Sequence, residues 1–146
     1  MEKKIILATK EDAVLIKNID DVSFDKEFHE DLEYYEDCFK KRYDCFLLMV
    51  NELPAGEIIL RFEGKKVLGV ESFAIVPQFQ GKGYSHFLLE FIDEFAKSFF
   101  NKIILEVHVN NKKAIDIYKK HGYNISHTIL DFYSFGQNAY VMEKFL

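Results

Sequence analysis

The run Lys4–Ala8 is short, apolar and free of helical spacing, which predicts a strand. Thr9-Lys10-Glu11-Asp12 follows with a hydroxyl cap and acids in a first turn, the composition of a helix start. Val14, Leu15, Ile16 and Ile19 then recur at the helical interval, and after Ser23 the residues Leu32, Tyr35, Cys38 and Phe39 repeat it. Two helices, or one broken helix, fit this spacing. From Cys45 to Val50 the apolar residues lose the helical stripe, Asn51–Gly56 supplies turn chemistry, and Glu57–Phe62 resumes with a β-branched and aromatic bias. Glu63-Gly64-Lys65-Lys66 turns the chain into Val67–Val76, so three consecutive strands are expected as an antiparallel meander. Pro77, without a backbone donor, ends it.

From His86 to Phe99 the residues Phe87, Leu88, Phe91, Ile92 and Phe95 share one stripe, opposite Glu90, Asp93, Glu94 and Lys97, which predicts an amphipathic helix. A strand over Lys102–Val109 and a helix over Lys112–Lys120 follow, and Gly122 suits the left-handed position just past a helix end. Residues 125–134 and 138–145 close the chain as two strands around Gly136-Gln137-Asn138. The last strand, Asn138–Phe145, is expected at an exposed edge that could support a dimer.

The 146 residues carry no internal repeat and no linker, so a single α/β domain over residues 1–146 is expected. With 49% hydrophobic and 29% charged residues the chain is too apolar for disorder. The formal charge of -5 argues against a phosphate-tracking surface, so no nucleic-acid partner is expected, and a cationic acceptor suits it better. Cys38 and Cys45 lack the spacing of a disulfide framework or a zinc site and read as reduced thiols. The apolar run at Ile5-Ile6-Leu7 is too short for a signal peptide, and nowhere do ~18 apolar residues occur together. No membrane partner and a cytoplasmic location are the expectation.

The segment Ile75-Val76-Pro77-Gln78-Phe79-Gln80-Gly81-Lys82-Gly83-Tyr84-Ser85-His86 places a glycine turn between a strand and a strong helix. Such a turn can aim several backbone N–H groups at one anion, and the helix dipole adds to their pull. A phosphate or pyrophosphate is the natural guest. The dinucleotide fingerprint begins at Gly81 and Gly83, but its third glycine would fall at His86, and no Gly-Lys-Ser/Thr closes the loop as a Walker pattern requires. Neither NAD nor ATP is favoured.

This segment resembles the acyl-CoA loop of the GNAT superfamily of N-acetyltransferases, Q/R-x-x-G-x-G/A, with Gln80, Gly83 and Ser85 at its defining positions. A shifted register, Gln78-Gly81-Gly83, also spells the pattern, but the distances from Pro77 and to Leu88-Leu89 favour Gln80 as first member. Ser85 departs from the usual Gly or Ala and remains small. A second block, Leu105-Glu106-Val107-His108-Val109-Asn110-Asn111 running on to Tyr118 and Gly122-Tyr123, is similar to the family's following strand and helix, notably in members resembling ribosomal-protein alanine acetyltransferases.

The resemblance implies a mixed, mostly antiparallel sheet of about seven strands with about four helices, whose fourth and fifth strands part to admit the pantetheine arm of acetyl-CoA. It implies acetyl transfer from acetyl-CoA to a primary amine, on a small cationic molecule or a peptide, without a metal. Phe73, Ala74 and Ile75 would offer backbone groups to the pantetheine and acetyl carbonyl, Gly81, Lys82, Gly83, Tyr84, Ser85 and His86 would hold the pyrophosphate, and Asn111 would contact the pantetheine arm. Tyr118 matches the tyrosine that protonates the leaving thiolate, a role open to a phenol because it stays protonated at neutral pH. Glu106 matches a strand glutamate that serves as base. Glu71, sharing strand parity with Phe73 and Ile75, is the rival base, and the sequence leaves the two open. His108 shares parity with Glu106 and reads as structural. Direct transfer is expected, because neither cysteine falls within the matching blocks. The contrary reading is a non-catalytic acyl-CoA-binding module. Oligomeric state stays open between monomer and homodimer.

The segment from Asp20 to Asp37 holds nine acids against Lys26 alone, which reads as a solvated face or as an acidic rim for a cationic acceptor. Tyr34, Tyr35, Phe132, Tyr133 and Phe135 would line an acceptor pocket or form core and rim.

Overall fold

The computed structural model describes residues 2–146. The chain runs β1 (Lys3–Leu7), α1 (Ala13–Ser23), α2 (Leu32–Lys40), β2 (Asp44–Val50), β3 (Leu53–Gly64), β4 (Val67–Ile75), α3 (Tyr84–Ala96), β5 (Lys102–His108), α4 (Lys112–Lys120), β6 (Asn124–Ser134) and β7 (Gln137–Phe145). Single 3-10 turns at Lys10–Asp12, Lys26–Phe28 and Pro77–Phe79 punctuate it. Seven strands hydrogen-bond in the order β1-β2-β3-β4-β5-β7-β6. The α/β class and the counts of strands and helices are those the sequence leads one to expect. The contacts group into two compact units, one reaching to Arg61 and including Glu71–Tyr84, the other comprising Phe62–Val70 and Ser85–Leu146.

In the first unit β1 pairs antiparallel with β2, and β2 with β3. The turn from β2 to β3 is tighter than the sequence implies. Asn51 and Glu52 both take positive φ, 49° and 65°, the pair of left-handed residues that closes a two-residue hairpin, so β3 starts at Leu53 and absorbs Pro54 and Gly56. Pro54 is tolerated because it lies opposite Met49, where the register shifts. Ala55 to Leu60 are all buried, so β3 does not alternate and packs on both faces. Along α1 the buried positions are Ala13, Ile16, Ile19 and Asp20, and Val14 faces outward. The Thr9 hydroxyl does not cap: it donates to Glu11, while the Asp12 carboxylate accepts from the Thr9 N–H at 2.9 Å.

In the second unit Val67–Val70 of β4 pair in parallel with Lys102–Leu105 of β5. β5 pairs antiparallel with β7 from Lys102↔Phe145 to His108↔Ala139, and β7 with β6. The final strand is therefore interior, and the edge belongs to β6. Burial explains the reversal: β7 buries Ala139, Val141 and Met142, whereas β6 exposes nearly every residue. A period of two shows that a strand exists and not which neighbours it takes.

Helix α3 begins at Tyr84, two residues ahead of expectation, and buries Leu88, Leu89, Ile92 and Ala96. Phe87, Phe91 and Phe95 lie half-buried on its flank. The Phe95 and Phe100 rings stack there at 6.5 Å, and with Phe62 and Phe99 they line an apolar recess of about 380 Å³. Helix α4 has the expected limits, and Gly122 follows it with φ 95°. Among the described residues no helix is long and apolar enough to cross a membrane.

Candidate functional site

The turn before α3 takes its shape from two glycines. Gly81 and Gly83 have φ of 74° and 88°, where a side chain is strained, and no atom lies within 4 Å of the place a Cβ would occupy on either. Open space above two left-handed glycines, at the mouth of a 13-residue helix whose first N–H groups have no intrahelical acceptor, suits an anionic guest. Lys82 stands exposed between them. Gln80 anchors the turn: its side-chain amide donates to the Ile75 carbonyl at 2.8 Å. The pyrophosphate of an acyl-CoA fits this donor set.

Backbone direction distinguishes the residues of β4. The Val76 N–H donates to the Ala55 carbonyl of β3 at 2.9 Å, so Ala74, two residues earlier, also faces β3, and Phe73 and Ile75 direct their groups to the other edge. Gly56 is needed for this approach, since a Cβ there would lie 2.6 Å from the Ala74 oxygen. The backbone groups of Phe73 and Ile75 thus point to one edge of β4 and those of Ala74 to the other.

Glu71 is engaged at both oxygens. Arg61 on β3 reaches Oε1 at 2.9 Å, and the Tyr34 hydroxyl donates to Oε2 in a short hydrogen bond. Burial first, and then this carboxylate, raise the Tyr34 phenol so that it stays protonated. Neither Arg61 nor Tyr34 stood out as a partner of Glu71 in the sequence, because pairing across strands and helices leaves no local signal.

Beside this trio lies a buried polar cluster. Asp20 is 4% exposed and Glu57 fully buried. The Tyr35 hydroxyl donates to Asp20 Oδ2 at 2.8 Å and the Ser72 hydroxyl to Glu57 Oε1 at 2.6 Å. Burial pushes both carboxyls up, Glu57 well above its ordinary value with the neighbouring Asp20 adding to the rise. Asp20 Oδ1 and Glu57 Oε2 are buried without a hydrogen-bond partner. The acidic run is accordingly not all solvated: Asp20 is core, Asp21 pairs with Lys17 at 2.9 Å, and Asp31 caps α2. Spacing offered one clue, since Asp20 falls four residues after Ile16 on the buried stripe of α1. Cys38 and Cys45 are buried thiols, and burial pushes Cys38 up to about 12 and Cys45 further.

In the second unit Ser85 and His86 open α3, and His86 Nε2 meets Glu90 at 2.9 Å. Glu106 is half-buried on β5 opposite Val141. Tyr118 of α4 is 8% exposed, its ring 5.9 Å from that of Tyr123. Asn111 is the N-cap of α4, its side-chain oxygen accepting from the Ala114 N–H at 3.2 Å. Among the described residues no three His, Cys, Asp or Glu side chains gather to hold a metal ion.

Residues 13–123 match the profile of the acetyltransferase (GNAT) family. N-alpha-acetyltransferase 20 from Dictyostelium discoideum is 28% identical over 102 residues, 66% of this chain and 59% of that protein, so the alignment spans little more than half of that relative. Among solved structures, a ribosomal-protein alanine N-acetyltransferase from Escherichia coli superposes with a TM-score of 0.87 at 23% identity, over 98% of this chain and 93% of that one. Ard1 from Thermoplasma volcanium gives 0.90 at 20% identity, over 100% and 99%. At such identities the structures speak for the fold, and the profile speaks for descent. With the glycine turn, the strand order and the profile in agreement, the chain belongs to the acetyltransferase (GNAT) family.

Proposed function

We propose that this protein transfers an acetyl group from acetyl-CoA to the α-amino group of a peptide or protein, by direct attack in a ternary complex. The observation that carries the reading is the open, left-handed Gly81/Gly83 turn at the start of α3, in a chain whose profile match spans both motif blocks. The α-amino acceptor is favoured by the name of the Dictyostelium relative, an N-alpha-acetyltransferase. A small polyamine or aminoglycoside is the lesser choice, because part of the acidic run is already committed to core, pairing and capping.

Acetyl-CoA supplies an activated acetyl group as a thioester. The backbone N–H groups of residues 81–86 and the Lys82 ammonium hold its pyrophosphate, and the edge of β4 at Phe73 and Ile75 aligns its pantetheine arm. The Ile75 N–H polarises the carbonyl as the amine nitrogen adds and negative charge gathers on oxygen. Glu106 takes the proton that the attacking ammonium must lose, directly or through water. Tyr118 gives its phenolic proton to the departing sulfur. Nitrogen gains the acetyl group, the carbon–sulfur bond breaks, and the second proton that nitrogen sheds restores the Tyr118 phenol, directly or through water, so the products are an amide and free CoA thiol. Glu106 is preferred to Glu71 as base because both Glu71 oxygens are already engaged, one by Arg61 and the other by the Tyr34 hydroxyl. Buried thiols with raised pKa give no reason to route the acetyl group through cysteine.

The test is acetyl-CoA-dependent thiol release across a peptide with a free N-terminus, free lysine, a polyamine and an aminoglycoside, with product mass as confirmation. Release with the peptide, and acetate mass on its N-terminal residue, is expected. Release with the polyamine alone would move the acceptor class. Saturable acetyl-CoA binding without release from any acceptor would make the protein a binding module.

A further inference from the structure

His108 lies two residues beyond Glu106 on β5, on the same face of the strand. Its ring is held at both nitrogens. Nδ1 accepts the Asn110 backbone N–H at 3.0 Å, so the ring proton resides on Nε2, which donates to Gln137 Oε1 at 2.6 Å. The flat face of the imidazole stacks on Tyr133, with centroids 5.6 Å apart and planes 22° from parallel. Gln137 and Tyr133 come from the turn end of the β6–β7 hairpin, where Ser134 pairs with Gln137. One side chain therefore ties that end of the hairpin to β5 beside the proposed base.

From this arrangement we infer that His108 is a positioning residue for Glu106, acting through the phenol of Tyr133. The Tyr133 ring, stacked on His108, stands over the face of β5 that His108 shares with Glu106, and burial, then the charge of Glu106, push its phenol up to about 12, so its O–H stays intact. A phenol held over that face can orient a carboxylate on it, or the water it uses, and rates respond steeply to such alignment. Histidine suits the position because it combines a ring that stacks with a donor at one edge and an acceptor at another. Phenylalanine would keep the stack alone, and glutamine the hydrogen bond alone. The inference rests on Glu106 being the base, and its test separates the two.

The experiment is a double-mutant cycle on the full chain, with a peptide bearing a free α-amino group as acceptor and KM for acetyl-CoA measured alongside. His108→Ala should lower kcat roughly tenfold with KM for acetyl-CoA unchanged, and His108→Phe should recover part of the loss. Tyr133→Phe, which keeps the stack and removes the hydroxyl, should lower kcat similarly, and adding His108→Ala to it should cost little more. Glu106→Gln is measured in parallel. If Glu106→Gln abolishes turnover while the effects of His108 and Tyr133 multiply, or while His108→Ala and His108→Phe both turn over like wild type, the positioning role is overturned and the base stands. If Glu106→Gln turns over normally, both fall together. Should His108→Ala fail to fold, His108→Phe and His108→Gln carry the cycle in its place.

Discussion

Arg61 Nη1 lies 2.9 Å from Glu71 Oε1 on the neighbouring strand, and the Tyr34 hydroxyl holds the other carboxylate oxygen. Both oxygens of that carboxylate are thus committed to groups of the protein itself. The trio fastens α2 to the sheet through one side chain from each of α2, β3 and β4.

On that basis the two glutamates separate by measurement. Glu106→Gln should reduce kcat by ~10²-fold or more, the usual scale of a general base. Glu71→Gln, which keeps the shape and can still accept from Arg61, should reduce it less than tenfold and act mainly on stability. A larger loss for Glu71→Gln than for Glu106→Gln would exchange the two roles.

Tyr118 is placed where a core tyrosine would also be content, so its role is read from which constant moves. Tyr118→Phe should lower kcat by ~10²-fold while acetyl-CoA affinity, followed by direct titration, stays within about twofold. Unchanged turnover would return Tyr118 to the core.

Gly83 tests the anion turn. Alanine there meets no atom within 4 Å, so its only penalty is the left-handed backbone at φ 88°, on the order of 1–2 kcal/mol. If residues 81–86 hold the pyrophosphate, Gly83→Ala should weaken acetyl-CoA binding roughly tenfold and spare the acceptor KM. Equal effects on both would mean that the turn serves the fold and not the ligand.

Asp20 and Glu57 bear on stability against pH. Burial raises both carboxyls, so the folded chain keeps protons that the unfolded chain releases. Their favourable contribution is full below the ordinary carboxylate value near ~4 and is lost as pH rises toward the raised values. Glu57→Gln removes one of these titrations and keeps an oxygen that can accept from Ser72. Relative to wild type it should gain stability on going from pH 5 to pH 8, in urea unfolding at the two pH values. A constant difference would show that the pair does not titrate over that range.

Local signals carried most of the elements. Helix α4 has the limits its spacing implies, and Gly122 has the left-handed φ that its position demands. Where local chemistry was ambiguous the reading slipped. Pro54 and Gly56 resemble turn residues, but the hairpin closes at Asn51 and Glu52, and Gly56 is small for the sake of a neighbouring carbonyl. Long-range facts were out of reach: that β7 is interior, that Glu57 in an apolar strand meets Asp20, and that Arg61 and Tyr34 enclose Glu71. The motif blocks located the candidate site because its turn, strand and helix are each contiguous in sequence. The partners that tune those residues come from elsewhere in the chain, and only the fold assembles them.

β6 carries a further consequence. Its register with β7 is broken twice, between Ile125 and His127 and between Ile129 and Ser134, and Asp131 within the second break has φ 55°. An unbroken outer strand would offer a continuous ladder to any passing chain. Here an intruding strand would lose alignment within a few residues of starting. The kinks thus work as a guard against fibre-like stacking, and straightening them by deletion at the second break should make the protein more prone to aggregate on concentration.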